Sequence, residues 1–185
     1  MTLAPHDVSE VVFSRAQIAT RVEALVDAIA ADRGGEPLVL IGILRGSFIF
    51  LADLLRGLYR HGVPAVVDFL TLESYGNGTA SSGRVRLAKD FEIDVDGQDV
   101  LLVDDILDSG RTLSFAVAHL RERGAARVRT CVLLDKPARR AVPFSPDYRG
   151  FEIDDTFVVG YGLDYAGRYR ELPHIARVAF PGSAP

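Results

Sequence analysis

Several residue types are scarce in this chain of 185 residues. It has no tryptophan, one cysteine and only two lysines, Lys89 and Lys136. The single cysteine, Cys131, excludes an internal disulfide framework and fits a reducing compartment. No apolar run approaches the length of a membrane span, and the first residues lack a basic stretch followed by an apolar one, so we expect a cytoplasmic protein. The net charge of −4 gives no general attraction to nucleic acid or to an anionic membrane.

The apolar pattern that is present predicts alternating helices and strands. Ser14 and Gln17 form a capping-box pattern at the start of a helix over residues 14–35. Fully apolar runs are typical of buried strands. Strands are predicted over 37–44, 65–75, 84–87, 99–107, 126–136 and 156–162, and further helices over 46–62 and 111–124. This order predicts one α/β domain, residues 1–185, with a largely parallel sheet flanked by helices.

One predicted strand ends in an unusual cluster of acidic residues. The stretch VLLVDDILDSGRTL, residues 100–113, places Asp104, Asp105 and Asp108 directly after a buried run. In parallel sheets, ligands bind beyond the carboxyl ends of the strands. The small residues of DSGRT then open a helix, where backbone N–H groups can bind a phosphate. A ligand with a phosphate at one end and hydroxyls or a metal at the other, such as a ribose 5-phosphate, suits both the phosphate-binding turn and the acidic residues before it.

The same acidic residues are open to simpler interpretations. They can be merely solvated, and Asp108 with Ser109 can merely cap the helix. A P-loop nucleoside-triphosphatase is excluded because neither lysine follows a glycine. A two-component receiver domain also has an acidic pair after a strand and a later Lys-Pro, but too few elements lie between Asp105 and Lys136 for its topology.

Four segments in order resemble the type I phosphoribosyltransferases, and more narrowly the hypoxanthine-guanine phosphoribosyltransferases. They are ILRGSFIFLADLL, LESYGNG, LLVDDILDSGRTL and FVVGYGLDYAGRYRELPHI. The third resembles the motif that binds phosphoribosyl diphosphate (PRPP), and the fourth points to 6-oxopurines. The resemblance covers most of residues 38–178. It implies the type I phosphoribosyltransferase fold, an α/β sheet with a small hood formed by the terminal segments.

The resemblance implies where PRPP would bind. The residues expected to hold its phosphoribosyl group are Asp104, Asp105, Asp108, Ser109, Gly110, Arg111 and Thr112. Of these, Asp104 and Asp105 would face the ribose hydroxyls, directly or through Mg²⁺. Backbone and hydroxyl donors of the others would cradle the 5-phosphate.

The diphosphate would have its own contacts. It would meet Arg45 and Gly46, in a segment where the family often has a cis peptide and a lysine at the place of Arg45, and it would meet the guanidinium of Arg170. Asp164 would hold a second Mg²⁺. A flexible loop over about residues 74–89 would close over the diphosphate and exclude water. Its contacts would come from Ser74 and Tyr75.

The resemblance also implies how the base is selected. Lys136 would donate to the 6-oxo group, and it would oppose the 6-amino group of adenine because an ammonium only donates. Phe157 would stack on the base, Val158 would offer backbone groups, and Asp164 would line the same site. Asp108 would accept the N7 proton as N9 attacks the sugar.

These residues predict a purine-salvage enzyme, a homodimer or homotetramer that uses PRPP and hypoxanthine, with guanine as a further substrate. A xanthine-preferring enzyme stays open, since specificity at the purine 2-position rests on backbone groups. An RNA-binding regulator of pyrimidine genes on the same fold would lack an aspartate at the position of Asp108. A catalytically inactive paralogue is disfavoured by the intact set of acids, lysine and arginines. The basic run at 138–140 is expected to be a solvated turn or a subunit contact.

Overall fold

Nine strands and three α-helices are assigned in the residues that the computed structural model describes, 8–32, 37–75 and 84–178. The strands are β1 (Val8–Phe13), β2 (Leu38–Leu44), β3 (Ala65–Tyr75), β4 (Arg84–Lys89), β5 (Asp99–Leu107), β6 (Arg127–Asp135), β7 (Tyr148–Glu152), β8 (Val158–Val159) and β9 (Ile175–Val178). The helices are α1 (Arg15–Ala31), α2 (Phe48–Arg60) and α3 (Arg111–Glu122), and a short 3-10 helix covers Pro137–Arg139.

Six strands form the main sheet, in the order β4-β3-β2-β5-β6-β7. In this order β3, β2, β5, β6 and β7 run parallel to one another, and β4 pairs antiparallel with β3 at one edge. The predicted largely parallel sheet is therefore confirmed. Because β2, β5 and β6 are adjacent and parallel, their carboxyl ends meet at one edge, which is where a ligand site is expected.

Both faces of the sheet are covered, each by its own apolar core. Leu38 and Leu40 of β2 pack with the buried faces of α1 and α2. Val39 and Ile41 point to the other face and pack with α3, as the two-residue period of a strand requires. The Ser14 capping box at the start of α1 is present as predicted. No described helix is long and apolar enough to cross a membrane.

A second, smaller sheet is formed near the two ends of the described chain. It has the order β1-β9-β8, with antiparallel pairing throughout. This sheet corresponds to the small hood that was expected from the terminal segments. The strand predicted over residues 156–162 shrinks to Val158–Val159, because Gly160 and Tyr161 leave the strand with φ of +99° and +50°.

The loop predicted over residues 74–89 is described only at its two ends. There β3 and β4 form an antiparallel ribbon, in which Ser74 pairs with Val85 and Tyr75 with Arg84. Residues 76–83 and the side chains of Ser74 and Tyr75 lie outside the described residues, so the expected contacts of these two side chains remain predictions.

Candidate active site

A pocket of about 780 Å³ lies at the carboxyl ends of β2 and β5 and at the start of α3. It brings together the residues predicted for the phosphoribosyl group and part of the set predicted for the diphosphate. Those residues are Arg45, Gly46, Asp104, Asp105, Asp108, Ser109, Gly110, Arg111 and Thr112. Two segments that are far apart in the chain therefore face one cavity because β2 and β5 are neighbours in the sheet.

The turn between β5 and α3 has the geometry of an anion cradle. Gly110 is the N-cap of α3 and has a φ of +83°, a conformation that glycine adopts without strain. The first N–H groups of a helix have no partner within it, so they can donate to a phosphate in the pocket. The hydroxyl oxygen of Ser109 accepts from the backbone N–H of Arg111 at 3.4 Å, whereas the carboxylate of Asp108 pairs with Arg139, at 3.1 Å between Oδ1 and Nε. Of the two residues considered as caps, Ser109 therefore bonds to the start of α3, whereas the Asp108 side chain makes no such bond within residues 84–178.

Asp104 and Asp105 form a buried acidic pair at the end of β5. Asp104 is only 6% exposed, and its Oδ1 accepts from the backbone N–H of Asp105 at 3.0 Å. Burial raises the pKa of the Asp104 carboxyl well above its usual range, and the charge of Asp105 adds to this effect. Burial also raises the pKa of Asp105, although hydrogen bonds and the charge of Arg170 oppose the shift. A cation or hydroxyl ligand would relieve this concentration of negative charge.

The donor set suits a metal that is shared with a substrate. Among residues 8–32, 37–75 and 84–178, no three or more acidic, histidine or cysteine side chains cluster as a ready-made metal cage. Mg²⁺ characteristically binds one or two carboxylates together with substrate phosphate oxygens and water. The Asp104–Asp105 pair fits that requirement, because it lines the pocket and the charge of Asp105 disfavours the charged form of Asp104.

The loop after β2 packs closely against the acidic pair. A Cβ atom on Gly46 would lie 1.6 Å from Oδ2 of Asp105, so any larger residue at this position would require the Asp105 carboxylate to move. A Cβ atom on Gly162 would in turn lie 2.2 Å from the carbonyl oxygen of Gly46. The Leu44–Arg45 peptide bond is cis, in the segment where the resemblance implied one. Two loops and the end of β5 therefore contact one another around the place predicted for the diphosphate.

Arg170 and Asp164 lie beside these loops and bind each other. Their ion pair measures 2.6 Å between Nη2 and Oδ1, and Arg170 also donates to the carbonyl of Gly162. The hydroxyl of Tyr161 donates to Asp53 of α2 at 2.7 Å, which anchors the same loop to the main domain. Neither Arg170 nor Asp164 lines the 780 Å³ pocket, but Arg170 is close enough to Asp105 to affect its pKa.

The residues predicted for the base form a second group next to the pocket. Lys136 follows β6, is 8% exposed, and donates from Nζ to the carbonyl of Thr156 at 2.7 Å. Thr156 immediately precedes Phe157, which is 42% exposed although its ring also meets Tyr165 edge-to-face. Val158 is buried in β8. The backbone N–H of Lys136 donates to Leu107 at 2.9 Å and so joins this group to the phosphate side.

Sequence reasoning missed three residues of this region. Ile106 lines the pocket between the acidic pair and Asp108, where an apolar residue inside an acidic motif was the available signal. Arg139 bridges Asp108 and Asp155. The expectation of a solvated turn over residues 138–140 is wrong for Arg140, whose side chain is 17% exposed and pairs with the buried Asp135. No sequence signal separates such an arginine from its exposed neighbour.

Known proteins match this chain over most of its length. A family model described as phosphoribosyl transferase domain matches residues 12–166. A hypoxanthine phosphoribosyltransferase of Salmonella typhimurium is 46% identical over 172 residues, covering 91% of this chain and 94% of the relative. The bifunctional protein TilS/HprT of Listeria innocua is 44% identical over 92% of this chain, which spans only 26% of that longer protein. The crystal structure of a hypoxanthine-guanine phosphoribosyltransferase from Bacillus anthracis has a TM-score of 0.87 at 41% identity, covering 93% of this chain and 99% of that one.

Proposed function

Because the chain belongs to the phosphoribosyl transferase domain family, whose model it matches over residues 12–166, we propose that it transfers the 5-phosphoribosyl group of PRPP to a 6-oxopurine and releases diphosphate. Hypoxanthine and guanine are the proposed acceptors, since the relatives carry these names. The observation that supports this function best is the adjacency of two groups. A phosphate cradle with buried carboxylates adjoins a buried lysine and an exposed aromatic ring.

PRPP is proposed to bind across the 780 Å³ pocket. Its 5-phosphate would take N–H donors from the Ser109–Thr112 turn, and its ribose hydroxyls would bond to the carboxylates of Asp104 and Asp105. The diphosphate would extend toward Gly46 and Arg170. The close contacts of Gly46 with Asp105 and of Gly162 with Gly46 support this arrangement. Because Gly46 has no side chain, its backbone groups are what it presents to the pocket that it lines.

Mg²⁺ is the proposed cofactor. Asp104 and Asp105 would hold one ion with the substrate, and Asp164 would hold a second. Oδ1 of Asp164 pairs with Arg170 and its Oδ2 accepts from the backbone N–H of Gly167 at 2.7 Å, and each oxygen keeps a further lone pair for a metal. When bound, the ions would neutralise the charge of the departing diphosphate. Arg170 would contribute to the same neutralisation, because its guanidinium stays protonated and charged at neutral pH.

Selection of the base is proposed to rest on Lys136. Its Nζ uses one of three donors on the carbonyl of Thr156, and the other donors can meet the 6-oxo group. Adenine would instead place its 6-amino donor against the ammonium of Lys136 at a partly buried site, which costs a few kcal/mol of binding free energy. Phe157, which keeps 42% of its surface exposed, would stack on the ring, and backbone groups of Val158 would meet its edge.

Proton transfer is proposed to rest on Asp108. As N9 of the purine forms a bond to C1 of the sugar and the bond from C1 to diphosphate breaks, the N7 proton would pass to the Asp108 carboxylate. Arg139 bonds to only one of its two oxygens, Oδ1, so Oδ2 remains as the acceptor. Of the acidic residues that line the pocket, Asp104 and Asp105 would therefore serve the sugar, and Asp108 would serve the purine.

Steady-state kinetics with hypoxanthine, guanine, xanthine and adenine, at saturating PRPP and Mg²⁺, test this function. The highest kcat/KM is expected with hypoxanthine or guanine, and adenine should be the poorest substrate. A higher kcat/KM with xanthine would favour the xanthine-preferring alternative. The RNA-binding regulator is disfavoured by the presence of Asp108 and by the names of the relatives. A homodimer or homotetramer and a cytoplasmic location remain predictions.

A further inference from the structure

Arg140 joins the two halves of the candidate site. Its Nη1 group donates to the carbonyl of Leu107 at 2.9 Å, to the carbonyl of Asp108, and to the carbonyl of Lys136 at 3.1 Å. Its Nε donates to the carbonyl of Phe144 at 3.2 Å. Leu107 ends β5 and Lys136 follows β6, so a single guanidinium spans the carboxyl ends of two adjacent strands.

A buried carboxylate orients this guanidinium. Asp135 is 2% exposed, and it pairs with Nη2 of Arg140 through one oxygen and with Arg149 through the other, at 3.2 Å. A buried charge needs such partners, because leaving it unpaired is strongly destabilising. Arg149 also pairs with Glu152 of its own strand β7, at 2.8 Å. The two arginines therefore share one carboxylate, but Arg140 is the one that holds the backbone of the site.

The segment that follows Arg140 supports the phosphate turn. Backbone N–H groups of Ala141 and Val142 donate to the carbonyl of Ser109 at 2.9 and 3.2 Å. A Cβ atom on Gly110 would lie 3.1 Å from the carbonyl oxygen of Val142, which shows how closely the two chain segments pack. A shift of Arg140 would therefore be transmitted to the residues on both sides of Asp108.

We propose that Arg140 is a positioning residue that sets the spacing between Asp108 and Lys136, and through it the alignment of the purine with the sugar. This inference rests on the proposed function. The N7 and O6 atoms of a 6-oxopurine lie on the same edge of the base, so the groups that bind them must converge from two different strands. Arg140 holds the carbonyls of both residues, and a misplacement of about 1 Å can cost on the order of 100-fold in rate.

Three variants test the proposal: R140K, R140Q and the control R149Q. R140K keeps a charge for Asp135 but has no planar fork to span several carbonyls. R149Q removes the other arginine from the same carboxylate. We expect R140K and R140Q to lower kcat with hypoxanthine about 10–100-fold, whereas R149Q should change it by less than about threefold. Thermal unfolding of all three variants gives the matched comparison of stability.

A double-substitution cycle distinguishes positioning from a general loss of structure. If Arg140 acts on the chemical step through Asp108, R140K should lower kcat by less than about threefold when it is introduced into D108N. An additive loss would overturn the proposal, as would near-wild-type kcat in folded R140K, or failure of both Arg140 variants to fold while R149Q folds. The wild-type rate in the same assay reports on the proposed function. Absence of wild-type turnover would overturn both the proposed function and the role of Arg140. If the wild type is active, the comparison of the variants tests the role of Arg140 separately.

Discussion

Replacing Asp108 with asparagine should separate proton transfer from folding. The side chain keeps its size and loses its charge and its ability to accept the N7 proton. Within residues 8–32, 37–75 and 84–178, this side chain is 44% exposed, does not cap α3, and has one charged partner, Arg139, which is 51% exposed. Exposed ion pairs of this kind contribute about 0–1 kcal/mol, so the free energy of unfolding should change by no more than about 1 kcal/mol.

The expected effect on catalysis is much larger than the effect on stability. Loss of a general base typically costs about 10²–10⁴-fold in rate. Each factor of ten corresponds to about 1.4 kcal/mol of activation free energy, so the barrier should rise by about 3–6 kcal/mol. PRPP binding should change little, because the proposed phosphate contacts come from the backbone and hydroxyls of the turn rather than from this carboxylate.

The assay is steady-state turnover of hypoxanthine at saturating PRPP and Mg²⁺, combined with denaturant unfolding of the same preparations. D155N is the matched control, because Asp155 is the other carboxylate that Arg139 pairs with, at 3.3 Å, and it has no proposed role in proton transfer. We expect D155N to keep a kcat close to that of the wild type. A folded D108N protein with near-wild-type kcat would refute the role of Asp108 as the base. An equal loss in D155N would assign the effect to Arg139 instead.

Three further predictions concern the metal, the division of the site and the acidic pair. Excess EDTA should abolish turnover, since unneutralised diphosphate is a poor leaving group, and full activity without a divalent ion would contradict the roles given to Asp104, Asp105 and Asp164. Thr112→Ala should weaken PRPP binding by about 1–2 kcal/mol, whereas Lys136→Ala should weaken 6-oxopurine binding and leave PRPP affinity nearly unchanged; equal loss of PRPP affinity in both would contradict this division. Asp104→Asn should stabilise the ligand-free protein at neutral pH by about 0.5–2 kcal/mol in thermal unfolding with EDTA present. Burial raises the folded-state pKa of the Asp104 carboxyl. The stability that comes from protonation of this carboxyl is therefore fully present below the ordinary pKa of 3.8, and it is lost as pH rises through the raised folded-state pKa. The advantage of Asp104→Asn should therefore shrink as pH falls toward 3.8, and a variant less stable than the wild type at neutral pH would contradict the reasoning.

Local sequence patterns were sufficient for the elements that are strongly apolar or sharply bounded. The buried runs of β2 and β5 and the capping box of α1 appear as predicted, since burial on both faces leaves no polar alternation and a cap requires particular residue types three positions apart. The phosphate cradle could also be predicted from the sequence, because all its residues lie in one turn. Strands β1, β7 and β9 were not predicted, since β1 and β7 lack a continuous buried run and β9 has only four residues.

Only the tertiary structure decided which charged side chains work together. A sequence names Asp105 and Gly46 but does not reveal that a carboxylate lies where a Cβ atom of residue 46 would be. Arg139 and Arg140 are identical neighbours in the chain, yet one reaches exposed carboxylates and the other reaches a buried carboxylate and the ends of two strands. The long arginine side chain can reach many partners, and the folded surroundings alone determine which of them it meets.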